Sequence, residues 1–261
     1  KEKKEKDFSV SPSSIKEQLA LGAAETRTIK IKNNGQASLN FDLDVLTVDN
    51  LVFLSDQSFS LDAGQEKVVE VNIIGKRLGS YFGEIEVKAD SIKKSVDIII
   101  EVESEEVLFD AKIDIPAAYK EVKAGDDLKA QITLLNVGPP RKVDVTTTYL
   151  IKDRRGNIIY ESSETFAVEK QTSFVRSFRI PKSVQPGDYL VIVEVRYEKS
   201  FAVSSELFRV IKGEGIISKT LLPNWLFVFG WLILIGLVFL FAYLIIPKER
   251  NRKGRKRIRL F

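Results

Sequence analysis

Residues 22–35 read GAAETRTIKIKNNG, and residues 125–138, at an offset of 103, read GDDLKAQITLLNVG. The two align without a gap, matching Gly22 with Gly125, Ile29 with Ile132, Ile31 with Leu134, Asn33 with Asn136 and Gly35 with Gly138. Within each, apolar and polar residues alternate with the two-residue period of a strand that covers a core with one face and meets water with the other. The closing Asn-x-Gly suits a corner between sheets. Its Asn side chain bonds local backbone while the Gly takes positive φ. A second pair, GSYFGEIEV (79–87) and GDYLVIVEV (187–195), matches at an offset of 108 through Gly79 and Gly187 and through Tyr81 and Tyr189. A repeat of about 100 residues predicts two tandem β-sandwiches.

The same alternation recurs outside the repeats, in NFDLDV (40–45), KVVEVNI (67–73) and KSVDIIIEV (94–102), separated by Gly, Asn, Asp or Pro. Only IKEQLAL (15–21) reads locally as helix before residue 212. The Gly-x-Tyr pair fits a corner where the ring packs and the hydroxyl bonds back to a loop, a reading preferred to carbohydrate stacking. DRRGN (153–157) between LIK and IIY reads as a hairpin turn, a connection rather than a site. The expected fold is all-β: two immunoglobulin-like sandwiches, joined near ESEEV (103–107) and followed by one transmembrane helix.

FSVSPSSI, RTIKIKNNG, FSLDAGQEKVVEVNI and GSYFGEIEVKA in the first repeat resemble the immunoglobulin-like modules of the major sperm protein and abnormal-spindle/Hydin superfamily, and related prokaryotic surface modules. YKEVKAGDDLKAQITLLNVG, YLIKDRRGNIIYE and QPGDYLVIVEVRY in the second are similar to CARDB (cell-adhesion-related) and fibronectin-III-like domains, mostly prokaryotic. The resemblance spans about 200 residues and rests on turn and core positions. It implies a non-catalytic adhesion, scaffold or subunit-contact module.

The chain has 40 Lys and Arg against 36 Asp and Glu, yet eight of those bases and one acid lie in residues 247–261, PKERNRKGRKRIRLF. Without that tail 32 bases face 35 acids, so the body is slightly acidic and a nucleic-acid-binding face is disfavoured. There is no His, Cys or Met. Disulfides, thiolate chemistry and His-based acid–base or metal chemistry are therefore excluded, which argues against an enzyme.

Residues 225–246, WLFVFGWLILIGLVFLFAYLII, carry no charge over 22 residues. As a helix the run is about 33 Å long, enough for a hydrocarbon core of about 30 Å. Pro223 and Pro247 bracket it. Trp225, Trp231 and Tyr243 supply the expected interface rings, while Gly230 and Gly236 lack the spacing of a GxxxG packing face. The basic tail, with Lys248, Arg250, Arg252, Lys253, Arg255, Lys256, Arg257 and Arg259, is expected in the cytoplasm by the positive-inside rule. Export of the N-terminal part, together with a start at KEKKEKDF and no Met, leads to the expectation of a cleaved secretory signal. In the tail, Ile258, Leu260 and Phe261 alternate with Arg257 and Arg259, more than a stop-transfer run requires.

The expected organisation is a charged segment 1–6, sandwiches at 7–103 and 104–211, a linker 212–224, the helix 225–246 and the tail 247–261. No catalytic, cofactor or metal residues are assigned. Asp42, Asp44 and Asp49, and Asp126 and Asp127, read as solvated surface rather than a calcium site. Neither a phosphate loop nor an N-x-[ST] sequon occurs, and KGEG (212–215) reads as linker. Leu51, Val52, Phe53 and Leu54 break the alternation, which fits a strand buried on both faces or a loop plugging the sandwich end, or else an exposed partner patch. The function expected is a single-pass cell-membrane protein with an extracytoplasmic ectodomain for adhesion, scaffolding or envelope assembly. Its partners are the lipid bilayer and an envelope or membrane protein, with no nucleic acid and no small-molecule substrate. The alternative is an accessory subunit of a larger membrane complex, contacted through the helix and ectodomain; sugar binding is weakest, since both indoles fall in the apolar span.

Overall fold

The computed structural model describes residues 6–139 and 141–212. Nine strands build the first half: β1 (Phe8–Ser11), β2 (Ser14–Ala20), β3 (Ala24–Asn33), β4 (Leu39–Leu46), β5 (Val52–Leu54), β6 (Ser58–Leu61), β7 (Glu66–Ile74), β8 (Gly79–Ala89) and β9 (Ile92–Glu103). Eight build the second: β10 (Phe109–Asp114), β11 (Glu121–Lys123), β12 (Asp127–Asn136), β13 (Val143–Asp153), β14 (Ile158–Val168), β15 (Gln171–Arg179), β16 (Gly187–Tyr197) and β17 (Ser200–Ile211). One short 3-10 turn, Ala117–Tyr119, interrupts them.

Sheet β1-β3-β7-β5 faces sheet β2-β9-β8-β4-β6 around a core that includes Phe8, Ile31, Phe41, Val71 and Ile98. Sheet β10-β12-β15 likewise faces β11-β17-β16-β13-β14 around Phe109, Ile132, Tyr149, Phe178 and Val193. Both halves follow one plan. Their first strand pairs antiparallel with the second long strand (β1 with β3, β10 with β12), and the chain then crosses over to pair parallel with the last strand (β2 with β9, β11 with β17). The helix candidate IKEQLAL is thus strand β2. Ile15, Glu17 and Leu19 face inward at every second position, so the period is two, and pairing to β9 outweighs the local helix preference of Glu, Gln and Leu.

The repeated residues occupy equivalent corners. Asn33 Oδ1 accepts Gly35 N (2.9 Å), and its Nδ2 donates to Ala37 O (2.8 Å) and Leu61 O (2.9 Å). Asn136 Oδ1 accepts Gly138 N (3.0 Å) and its Nδ2 donates to Glu169 O (3.0 Å). Positive φ falls elsewhere than expected: on Gly22 (86°) and Gly125 (94°), at the start of the repeat, while Asn oxygen capture of the glycine N–H holds the closing end. The tyrosine corners form in both halves, Tyr81 Oη donating to Arg77 O (2.8 Å) and Tyr189 Oη to Gln185 O (2.8 Å), each four residues back.

Candidate functional site

The expectation that every strand keeps one wet face fails at β8, β9, β16 and β17. Their five-stranded sheets turn their outer faces to each other. Phe82 and Ile99 from the first sandwich pack with Leu150, Leu190, Ile192, Phe201 and Val203 from the second in a third apolar core. Both sandwiches fall within one compact unit. Phe82 and Leu190 are equivalent in the 108-residue repeat and meet here. Full burial of one such side chain is worth about 1.5–3 kcal/mol, against about 0–1 for a surface ion pair, so the apolar group dominates the junction.

Charged groups flank that core at both ends. At one, the DRRGN turn, taken above as a mere connection, carries Arg154 into the first sandwich. Its Nη1 lies 3.0 Å from Glu84, and its Nη2 lies 2.7 Å from Asp97 and 2.8 Å from Asp188 of its own sandwich. The guanidinium carbon stands 5.8 Å from the Phe82 ring centroid, and Arg209 makes a second pair to Asp188 at 2.7 Å. Lys152, on the same hairpin, donates to Ser80 O (3.0 Å). Toward the connection, Glu103 Oε1 accepts Val203 N (2.8 Å), Ser104 N donates to Phe201 O (3.0 Å), and Glu101 accepts from Ser205 Oγ while pairing with Lys16 (3.0 Å).

Burial sets the electrostatics. It raises the Asp97 carboxyl above its ordinary value against the opposing pull of Arg154, and raises Glu103 against its bond from Val203 N. Burial also lowers the Lys152 amine, with Glu194 pulling the other way. Each shift arises at a packing surface. A groove of about 540 Å³, lined by Gln18, Leu19, Glu103, Glu105, Asp110 and Val137 among others, opens beside the connection.

The residues picked from the sequence do not gather into one place. Leu51 and Val52 are core, Leu54 is half-buried and Phe53 is 44 % exposed beneath Lys76, whose Nζ is 5.1 Å from the ring centroid. Those four residues therefore form no single surface. Asp42 and Asp44 are exposed on β4, with Asp44 paired to Lys88 at 2.9 Å, and Asp127 pairs with Arg179 at 3.1 Å. Among the described residues no acidic cluster has metal-binding arrangement, and no helix is long and apolar enough to cross a membrane. The expected span with Trp225, Trp231 and Tyr243, and the basic tail from Lys248 to Arg259, lie outside the described residues. Sequence reasoning missed the junction, although DIIIEV (97–102) and YLVIVEV (189–195) carry its signal as apolar runs without alternation, the mark of strands buried on both faces.

No protein-family model matches the chain, and no curated protein sequence matches it. Among solved structures it is similar to a PapD-like (ASH) domain of human CEP192, at 16 % identity and a TM-score of 0.31, over 38 % of this chain and 86 % of that one. It is also similar to a CARDB domain of a Pyrococcus furiosus protein, solved with di-metal ions, at 12 % identity and a TM-score of 0.27, over 42 % of this chain and 95 % of that one. A Porphyromonas gingivalis protein of unknown function is similar at 14 % identity and a TM-score of 0.40, over 78 % of this chain and 98 % of that one. At such scores the sandwich architecture rests on the chain's own sheets and registers.

Proposed function

We propose that the chain is a non-catalytic, single-pass membrane protein whose two sandwiches form an extracytoplasmic body that binds or braces a protein partner in the envelope. The junction carries this reading. A third apolar core and a set of interlocking charges are devoted to holding one sandwich against the other, an arrangement that supports presenting surfaces in a fixed geometry. Its displaced pKa values also have a structural cause, since Asp97, Glu103 and Lys152 owe them to burial between sheets, and of the three only Glu103 lines the groove beside the connection. Membrane anchoring rests on the 22 apolar residues 225–246 and the basic tail after them.

Affinity purification of the full chain from its native membranes in mild detergent, followed by mass spectrometry, tests the reading. A stoichiometric envelope or membrane protein is expected, retained when the apolar span is replaced by polyleucine. Loss of the partner on that replacement would transfer the main contact to the span, as in an accessory subunit. Recovery of the chain alone would sink both.

A further inference from the structure

The direction in which the sandwiches pass each other is written in their cross-contacts. Ser104 meets Phe201, Glu103 meets Val203 and Glu101 meets Ser205. Asp97 then shares Arg154 with Asp188, which stands opposite Arg209 in the β16–β17 register. Followed backward from 104 to 97, β9 therefore lies along β17 followed forward from 201 to 209. The two final strands run antiparallel, and the chain doubles back at residues 104–108. Its described ends consequently share one end of the body: Lys6 pairs with Asp90 (2.6 Å), beside the start of β9, while β17 finishes at Ile211.

We propose that this folded-back pair is a closed state, fastened at one end by the 104–108 connection and at the other by Arg154 acting as a clasp. Arg154 is a positioning residue here. A single guanidinium stands among Glu84 and Asp97 of the first sandwich and Asp188 of the second, and without it three carboxylates face one another across the joint with Arg209 bound to Asp188 alone. The turn that presents it is held rigid. Asp153 Oδ1 accepts Arg155 N and Asn157 N, both at 2.9 Å, Asp153 Oδ2 accepts Asn157 Nδ2 at 2.9 Å, and Gly156 takes a φ of 78°. An Arg fork suits the role because its donors address several carboxylates at fixed angles, which an ammonium does not. Release of the clasp loosens the joint at the end farthest from the connection, starting beside Phe82, whose ring the guanidinium faces.

The clasp can be tested on the chain alone, without a partner. The chain has no Cys, so two introduced ones, Gln36→Cys and Ser183→Cys, carry the only spin labels; both sites are exposed, in loops at the shared end of the two sandwiches. Pulsed electron-spin distance measurement on the full chain in detergent should give a single narrow distribution. Arg154→Ala should broaden it and move it to longer distance with far-UV circular dichroism unchanged, and Arg154→Lys should broaden it less. Adding Asp97→Asn and Asp188→Asn to Arg154→Ala should restore the narrow peak, because the apolar core then closes without carboxylate repulsion. A broad distribution in the parent chain, an unchanged one in Arg154→Ala, or failure of the neutralised variant to recover would each overturn the clasp.

Discussion

The two sandwiches share a strand plan and differ in how they shut their open edges. In the first, Glu17 on edge strand β2 points inward, only 8 % exposed, and is gripped from the facing sheet by Arg27 at 2.7 and 3.0 Å. Its opposite edges, β5 and β6, are just three and four residues long. The second sandwich has long edges there instead, 11 residues in β14 and nine in β15. Between those strands Arg176 pairs with Glu164, bonds Ser162 Oγ (3.2 Å) and lies 4.0 Å over the ring of the buried Tyr149. Burial, then Glu164, pushes the Tyr149 phenol well above its usual range. A free edge is a template for another strand, and either brevity or an inward charge blunts it. The lesson is that one sequence plan tolerates long edges only where a charge is turned into the gap.

Matched substitutions in the two halves should differ in effect. The largest effect is expected at the Asn corners, where burial differs most. Asn33→Ala leaves Ala37 O, Leu61 O and Gly35 N without their side-chain partner in a fully buried corner and should cost about 3 kcal/mol, against about 1 for the half-buried Asn136→Ala. Urea titration of the two variants checks it, and equal losses would mean that the corners do equal work. Next comes Arg27→Ala, which strands the buried Glu17 carboxylate and should cost about 2 kcal/mol, against about 1 for Arg176→Ala, whose partner Glu164 keeps 37 % of its side chain exposed to water. Concentration-dependent association in light scattering is expected of Arg176→Leu with Glu164→Leu, and not of the parent.

The tyrosine corners sharpen the contrast at smaller scale. Tyr189→Phe should lose about 1 kcal/mol and the more exposed Tyr81→Phe about half as much, because a lost hydroxyl bond costs more where water cannot replace it. The smallest effect is a pH dependence set by the junction. Asp97 and Glu103 have raised pKa values in the folded state, so that state holds more protons than the unfolded chain between the ordinary carboxyl range and the raised values. Their contribution to stability is therefore greatest in acid and declines as pH rises through that window. Exposed Asp7 and half-buried Asp56, lowered by Lys94 and Lys67, act with the opposite sign. Asp97→Asn with Glu103→Gln should flatten the decline of melting temperature with pH; a steeper decline would reverse the assignment.

Much of the fold was legible because its causes are local. Alternation at Ile29, Ile31, Ile132 and Leu134 reports which face is wet, and Asn33, Asn136, Tyr81 and Tyr189 act on backbone within a few residues, so each could be read from spacing alone. Locality also misled. IKEQLAL looked helical because its propensities were weighed without β9 beside it, and the run Leu51 to Leu54 left burial and exposure both open, which the structure divides by placing Leu51 and Val52 in the core and Phe53 at the surface. Arg154 was invisible as a site. Nothing in DRRGN names Glu84 or Asp97, which lie roughly 60 to 70 residues earlier.

By itself the sequence determined that the described chain is two repeats of an alternating β plan, turned at matching Asn-x-Gly and Gly-x-Tyr corners, because hydrophobic period and turn chemistry are properties of neighbours along the chain. Only the tertiary structure decided that the repeats fold back on each other through their five-stranded sheets. An uninterrupted run such as LVIV or DIII states that a second face must leave water, but which surface covers it depends on the pairing of residues distant in sequence, and that is settled only when both sheets exist.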